Sequence, residues 1–175
     1  FSKLVQKAGI SDDTTVVLYG DKNNWFAAWG AWIFNIYGQK DVRVLDGGRV
    51  KWEKDGRPLT TAVPTFAAGN FTATKQDRSI RATLIKDVLP VAKKRAKADL
   101  IDIRGADEFN GKVFAAPGFQ ELSVRAGHIP GATNVPWGAN VNADGTFKTV
   151  AELKKLYADK GVDGKQNIIS YCRIG

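Results

Sequence analysis

Two rhythms of apolar and polar residues alternate along the chain. "TTVVLYG" (14–20) is a short β-branched run closed by glycine, and it predicts a buried strand. From Trp25 to Tyr37 the period lengthens: Trp25, Trp29, Trp32 and Ile36 recur at spacings of four and three. That is one helical stripe, expected to pack into a core. "VRVLDGG" (42–48) returns to strand, and its glycine pair permits a tight turn. "RVKWEKDG" then fits a short helix stopped at Gly56, with Pro58 just beyond. Residues 60–79 keep no sustained period and are rich in Thr, Ala and Gly, as expected of a linker with an extended stretch at Asn70–Thr74.

The second half repeats the alternation. "RATLIKDVLPVAKKRAKA" reads as helical, with Pro90 placed to interrupt it. "DLIDIR" (99–104) predicts a strand, "ADEFNG" a helical turn, and "GHIPGATNVPW" (127–137) a turn followed by a short strand. "TVAELKKLYADKG" (149–161) predicts a helix with Val150, Leu153, Leu156 and Tyr157 on one face and Gly161 as its stop. "NIISY" (167–171) predicts a last buried strand. Strands alternating with helices imply an α/β fold with a largely parallel sheet flanked by helices.

The chain also resembles itself. At an offset of 152 positions, "FSKLVQKAGISDDTTVVLYG" lies over "LKKLYADKGVDGKQNIISYC" without a gap. Lys3, Leu4, Gly9 and Tyr19 face identical residues at Lys155, Leu156, Gly161 and Tyr171. Val16 and Val17 lie over Ile168 and Ile169. The shared order of helix, glycine stop, polar turn and strand predicts a duplicated domain of ordinary size. On that reading the chain starts part-way through the first copy and stops part-way through the second. Residues 1–66 are then the later part of one domain, 67–79 a linker, and 80–175 the earlier part of the next.

Composition narrows the chemistry. The apolar and charged shares, 43% and 25%, are those of an ordinary globular protein. No run of eighteen apolar residues suggests a membrane-spanning helix. With one His and one Cys among 175 residues, a structural zinc site and an internal disulfide are not expected. The lone thiol fits a reducing compartment, and the expected location is cytoplasmic. A formal charge of +8 is read as a lysine-rich solvated surface. It carries no nucleic-acid signature, so no nucleic-acid or membrane partner is expected.

The single cysteine, Cys172, follows the last predicted strand and precedes Arg173, Ile174 and Gly175. A small buried hydrophobe is one reading of such a residue. A nucleophile is the other. In open α/β sheets ligands bind outside the carboxyl ends of strands. There, backbone N–H groups and a neighbouring arginine favour a thiolate.

These residues resemble the tandem-domain rhodanese family. "YCRIG" is similar to the start of its active loop, "RAGHIPGATNVPW" to its "GHIPGA" signature, and "LIDIRGADEF" to its Asp-x-Arg strand and turn. "VVLYGDKNNWFAAW" and "VLDGGRVKWEKDGRPLT" resemble the second half of the family's non-catalytic first domain. The resemblance implies a sulfurtransferase without metal or organic cofactor, partnered by a small anionic sulfur donor, thiosulfate, and a thiophilic acceptor such as cyanide. It implies Cys172 as the persulfide carrier, with Arg173, Ile174 and Gly175 as the first part of a substrate-binding loop. Asp102 and Arg104 would support the pocket or form an internal ion pair, and His128 would order a turn. Arg125 is a further possible pocket cation. The family's mercaptopyruvate branch has glycine after the cysteine, so Arg173 points to thiosulfate. Where some thiosulfate enzymes place a second arginine, this chain has Glu108, and the matching substrate contact is not expected here. In the first copy Gly20 and Asp21 stand where Cys172 and Arg173 stand in the second, so that copy carries no nucleophile. Mercaptopyruvate transfer, a non-catalytic rhodanese-like binding module and a Cdc25-type phosphatase are the alternatives. The isolated 1–175 polypeptide is expected to be nearly inactive.

Overall fold

The computed structural model describes residues 1–173. In chain order the elements are helix α1 (Ser2–Lys7), strand β1 (Val16–Leu18), helix α2 (Trp25–Ile36), strand β2 (Val42–Val44) and helix α3 (Gly48–Lys54). They continue as helix α4 (Leu89–Ala92), strand β3 (Asp99–Asp102), helix α5 (Ala106–Phe109), strand β4 (Thr133–Asn134), helix α6 (Val150–Ala158) and strand β5 (Ile168–Tyr171). Every strand pair is parallel, and helices lie between the strands in sequence, as the alternation predicted. Ile174 and Gly175 lie outside the described residues.

The chain divides into two compact units. The first comprises Phe1–Arg81 with Asn142–Phe147. Its sheet pairs β1 with β2, Val16 opposite Val42 and Leu18 opposite Val44, and α2 packs on both strands. Ile36 is fully buried, and Val5 and Val16 nearly so. The stretch expected as a linker is anchored here. Phe71 is buried, its ring edge-on to Phe1, and its carbonyl accepts from the Gln6 side chain at 2.8 Å. The Trp32 indole N–H donates to the Ile80 carbonyl at 2.9 Å.

The second unit comprises Ala82–Val141 and the described residues from Lys148 onward. Its sheet has the order β4-β3-β5, and its core gathers Ile101, Val135 and Val162 with Ile103, Leu156 and Tyr157. The expected helix over 81–98 is shorter in the structure. A wide turn at Leu84–Val88 leads into α4, which ends at Ala92. Pro90 offers no N–H to an α ladder, and Lys94 takes φ +57 to turn the chain out.

The two segments aligned at the offset of 152 share a backbone geometry at their helix ends. Gly9 and Gly161 take φ +79 and +81 after α1 and α6. Gly9 N–H donates to Gln6 and Ile10 N–H to Val5, at 2.9 and 3.1 Å. At the offset of 152, Gly161 N–H donates to Ala158 and Val162 N–H to Tyr157, at 2.9 and 3.0 Å. The same helix stop occurs at both places: the N–H of the left-handed glycine and that of the residue after it satisfy carbonyls that the helix end leaves open.

Two packing expectations change. Val17 in β1 and Ile168 in β5 are about half exposed, so neither strand is buried on both faces. In the aromatic stripe, Ile36 is buried but Trp29 is 55% exposed. Periodicity gives the side of a helix or strand on which apolar residues fall, and other segments decide whether that side is covered.

Candidate functional site

The parallel register brings three strand ends into one row. Asp102 of β3 lies opposite Asn134 of β4 on one side and Tyr171 of β5 on the other. Chain direction is shared, so the loops after all three strands leave the same edge. Cys172 is the first residue beyond β5 at that edge, half-buried and in no disulfide.

Asp102 and Arg104 are two residues apart at the end of a strand, a spacing that turns both side chains to one face. They form a buried, forked ion pair. Arg104 Nη2 donates to Asp102 Oδ2 at 2.6 Å, and Nε donates to Oδ1 at 3.0 Å. Asp102 is fully buried, and Arg104 is 9% exposed. The hydrogen bonds it donates to Asp102 hold the Arg104 guanidinium pKa above its ordinary value although burial opposes them.

The same guanidinium ties down the GHIPGA turn, donating to the Gly127 carbonyl at 2.7 Å and to Ser123 Oγ at 3.2 Å. Two more bonds hold the turn. His128 Nδ1 meets the Phe109 carbonyl at 2.8 Å, so that nitrogen carries the proton, and its ring stacks on Phe109 at 3.6 Å. The Tyr171 hydroxyl accepts from Ile129 N–H at 3.1 Å. Burial, foremost, pushes the Tyr171 phenol pKa up to about 12. His128 therefore stands as a turn-ordering residue. Asn134 completes the frame, its amide donating to the Asp102 and Arg104 carbonyls at 3.0 and 2.9 Å.

Arg173 is placed by a residue 65 positions away. Its guanidinium is ion-paired with Glu108 of α5, and both side chains are more than nine-tenths buried. The Phe119 ring lies 5.1 Å from the guanidinium carbon, and Nε is buried without a hydrogen-bond partner. At Glu108 sequence reasoning misses the partner. The expectation there is only the loss of a substrate contact, and the structure makes Glu108 the counter-ion of Arg173. An acidic residue in the first turn of a short helix carries no sequence signal for so distant a partner.

The sequence-predicted residues thus fall into three groups. Asp102, Arg104, Cys172 and Arg173 meet around the carboxyl edge of the second sheet. Arg125 is exposed. Ile174 and Gly175 lie outside the described residues. Among the described residues no group of His, Cys, Asp and Glu is arranged to hold a metal ion, and no helix is long and apolar enough to cross a membrane.

Known proteins share this frame. The sulfur carrier protein TtuD of Thermus thermophilus is 48% identical over 178 residues, which span 99% of this chain and 62% of TtuD. A Mycolicibacterium smegmatis protein named "Putative thiosulfate sulfurtransferase" is 50% identical over 176 residues, 100% of this chain and 62% of that protein. The chain therefore spans a little over three-fifths of these relatives. Among solved structures, the 3-mercaptopyruvate sulfotransferase SseA from Escherichia coli superposes with a TM-score of 0.80 at 29% identity, over 97% of this chain and 60% of SseA. EanB in complex with ergothioneine superposes with a TM-score of 0.80 at 27% identity, over 97% of this chain and 44% of EanB. The family model described as rhodanese-like domain matches residues 1–55 and 88–175, which include both halves of the repeat and the site around Cys172, and the chain belongs to the rhodanese-like domain family.

Proposed function

We propose that this chain belongs to a two-domain thiosulfate sulfurtransferase in which Cys172 carries the sulfur. One observation carries the reading: the only thiol stands at the carboxyl edge of a parallel sheet, followed at once by a buried arginine. Relatives named for sulfur carriage and for sulfur transfer support it.

The chemistry needs a thiolate and nothing else from a cofactor. Cys172 Sγ attacks the outer sulfur of thiosulfate, the sulfur–sulfur bond of the donor breaks, and sulfite leaves with the bonding pair. The enzyme then holds a persulfide anion. A thiophilic acceptor such as cyanide attacks its terminal sulfur and departs as thiocyanate, returning the thiolate. Arg173 sets a guanidinium, ion-paired with Glu108, next in the chain to the sulfur, and Ile174 with Gly175 would belong to the loop that binds the anion. Asp102 and Arg104 hold the neighbouring turn rather than touch the donor. A carrier of this kind persists where the medium is reducing, and we place it in the cytoplasm.

The test uses the full-length protein. Turnover of thiosulfate and cyanide to thiocyanate is expected, with a gain in mass of one sulfur atom on Cys172 after thiosulfate alone. Cys172→Ser should abolish both. Undiminished turnover in that variant overturns the assignment. Turnover of 3-mercaptopyruvate in preference to thiosulfate would favour the other donor, to which the likeness to SseA lends support. Hydrolysis of an aryl phosphate without sulfur loading would favour a phosphatase.

A further inference from the structure

We propose that Glu108 is the charge-setting partner of the sulfur site: it holds Arg173 beside Cys172 and cancels its charge, so that the site discriminates weakly between singly and doubly charged donors. The proposal rests on the sulfur-carrier reading of Cys172 and deepens it.

Buried charges gather at the sheet edge that carries the thiol. Four side chains stand there: Asp102 and Arg104 from the end of β3, Glu108 from α5, and Arg173 after β5. They form two ion pairs, and their charges sum to zero. Tyr171, the other titratable neighbour, stays neutral to high pH because burial raises its phenol pKa to about 12. Arg173, read from the sequence alone, is a cation waiting for a dianion. In the structure its charge is already matched by a carboxylate that is itself 94% buried.

Burial makes this match matter. A surface pair would be screened and worth little, whereas a desolvated pair acts at a much lower dielectric. Phe119 covers the guanidinium and keeps water from loosening the pair. The pair also fixes the orientation of the residue that follows the sulfur, because a guanidinium held by a distant helix cannot swing freely. Arg173 Nε remains buried and unpartnered, an expensive state for a donor. Glu108 thus leaves Arg173 able to give one hydrogen bond while removing most of its long-range attraction for negative charge. A persulfide monoanion suits such a site at least as well as a dianion.

Glu108→Gln is the direct test, because it keeps size and an acceptor oxygen and removes only the charge. Two readouts separate charge-setting from simple bracing. One is the pH midpoint for alkylation of Cys172. The other is the ratio of kcat/KM for thiosulfate to that for a monoanionic thiosulfonate. With Arg173 uncancelled, the midpoint should fall by about one pH unit, and the ratio should rise about tenfold in favour of thiosulfate, mostly through KM. Wild-type values for both overturn the proposal. The double variant Glu108→Gln/Arg173→Gln replaces the pair by two neutral side chains of similar shape, and it guards against failure of the single variant to fold. A cancelled pair predicts a donor ratio within about twofold of wild type. A roughly tenfold loss of thiosulfate preference would mean that Arg173 acts as an open cation, and the proposal fails. If the wild-type protein turns over neither donor, the sulfur-transfer reading fails, while the alkylation midpoints still decide whether Glu108 governs the charge at Cys172.

Discussion

The loops that follow β1 and β5 start from the same frame and end in different chemistry. Each is preceded by a helix, a left-handed glycine stop and a parallel strand. After β1 the chain turns through three consecutive left-handed residues and is bonded to the neighbouring turn after β2. Lys22, Asn23 and Asn24 take φ +48, +55 and +62 in succession. Asn24, only 2% exposed, closes the turn: its Oδ1 accepts from Gly20 N–H at 3.0 Å, and its Nδ2 donates to the Leu45 carbonyl at 2.6 Å. After β5 the first two residues are Cys172 and Arg173, and the partner of Arg173 comes from α5. The first loop spends its polar side chain closing its own turn and tying it to the turn after β2. The second draws on a distant carboxylate, which leaves the position next to the strand for a thiol. The two frames are alike in backbone, and a few residues after the strand decide which loop carries the thiol.

The sharpest way to break the comparison is at the frame itself. Gly9 and Gly161 share one backbone conformation but not one environment. A Cβ on Gly161 would meet nothing within 4 Å, whereas a Cβ on Gly9 would stand 2.7 Å from Phe66 Cβ. Left-handed φ alone costs an alanine about 1–2 kcal/mol, and the clash adds a similar amount. Gly9→Ala should therefore destabilise its unit by about 3 kcal/mol and Gly161→Ala by about 1 kcal/mol, read as urea midpoints. Equal losses would mean that Phe66 yields and that only the shared φ matters.

The frame was legible in the sequence because its signals are local. A helical period ending at glycine, a polar turn and a β-branched run can be read from ten or twenty residues, and their recurrence at a fixed offset exposed the repeat. Asp102 and Arg104 were legible as a unit for the same reason, since two positions along a strand share a face. Signals of longer range were lost. Nothing around Glu108 names Arg173 as its partner, and nothing in "NIISY" tells that Ile168 faces solvent. Trp29 fits its helical stripe perfectly well and is still more than half exposed. The segment read as a linker lends Phe71 to the first core, because one aromatic in a Thr/Ala-rich stretch gives no period to detect.

The next test concerns how the first loop is sealed. Asn24→Ala removes the acceptor of Gly20 N–H and the donor to Leu45 at a buried position, and it leaves a Cβ residue in the left-handed region. A loss of about 2 kcal/mol is expected for the unit. Asn24→Gly separates the two causes. Glycine accepts the backbone conformation but makes neither hydrogen bond, so it should recover only the smaller, conformational part. Full recovery by glycine would show that the turn needs the φ value and not the amide, and the contrast between a loop held by a neutral amide and one held by a buried ion pair would lose its footing.

The smallest expected effect lies at the paired tyrosines. Tyr19 and Tyr171 occupy equivalent places in the repeat. Tyr19 is 64% exposed, whereas Tyr171 is half-buried and accepts from Ile129 N–H, so that the GHIPGA turn hangs from the residue before Cys172. Tyr171→Phe should cost about 1 kcal/mol by leaving that N–H without its acceptor, while Tyr19→Phe should be neutral within error. The pH dependence carries the same contrast. Burial raises the Tyr171 phenol pKa from 10 to about 12 in the folded state. The folded protein therefore holds this proton more tightly than the unfolded chain does. The associated stability is intact below pH 10 and drains away as pH climbs toward 12. A spectroscopic phenolate titration should lose its most alkaline step in Tyr171→Phe and keep it in Tyr19→Phe. Urea midpoints should fall less steeply across the same alkaline range in Tyr171→Phe than in wild type. If both variants titrate like wild type, the hydroxyl of Tyr171 is solvated, and the turn beside Cys172 is held by Arg104 and His128 alone.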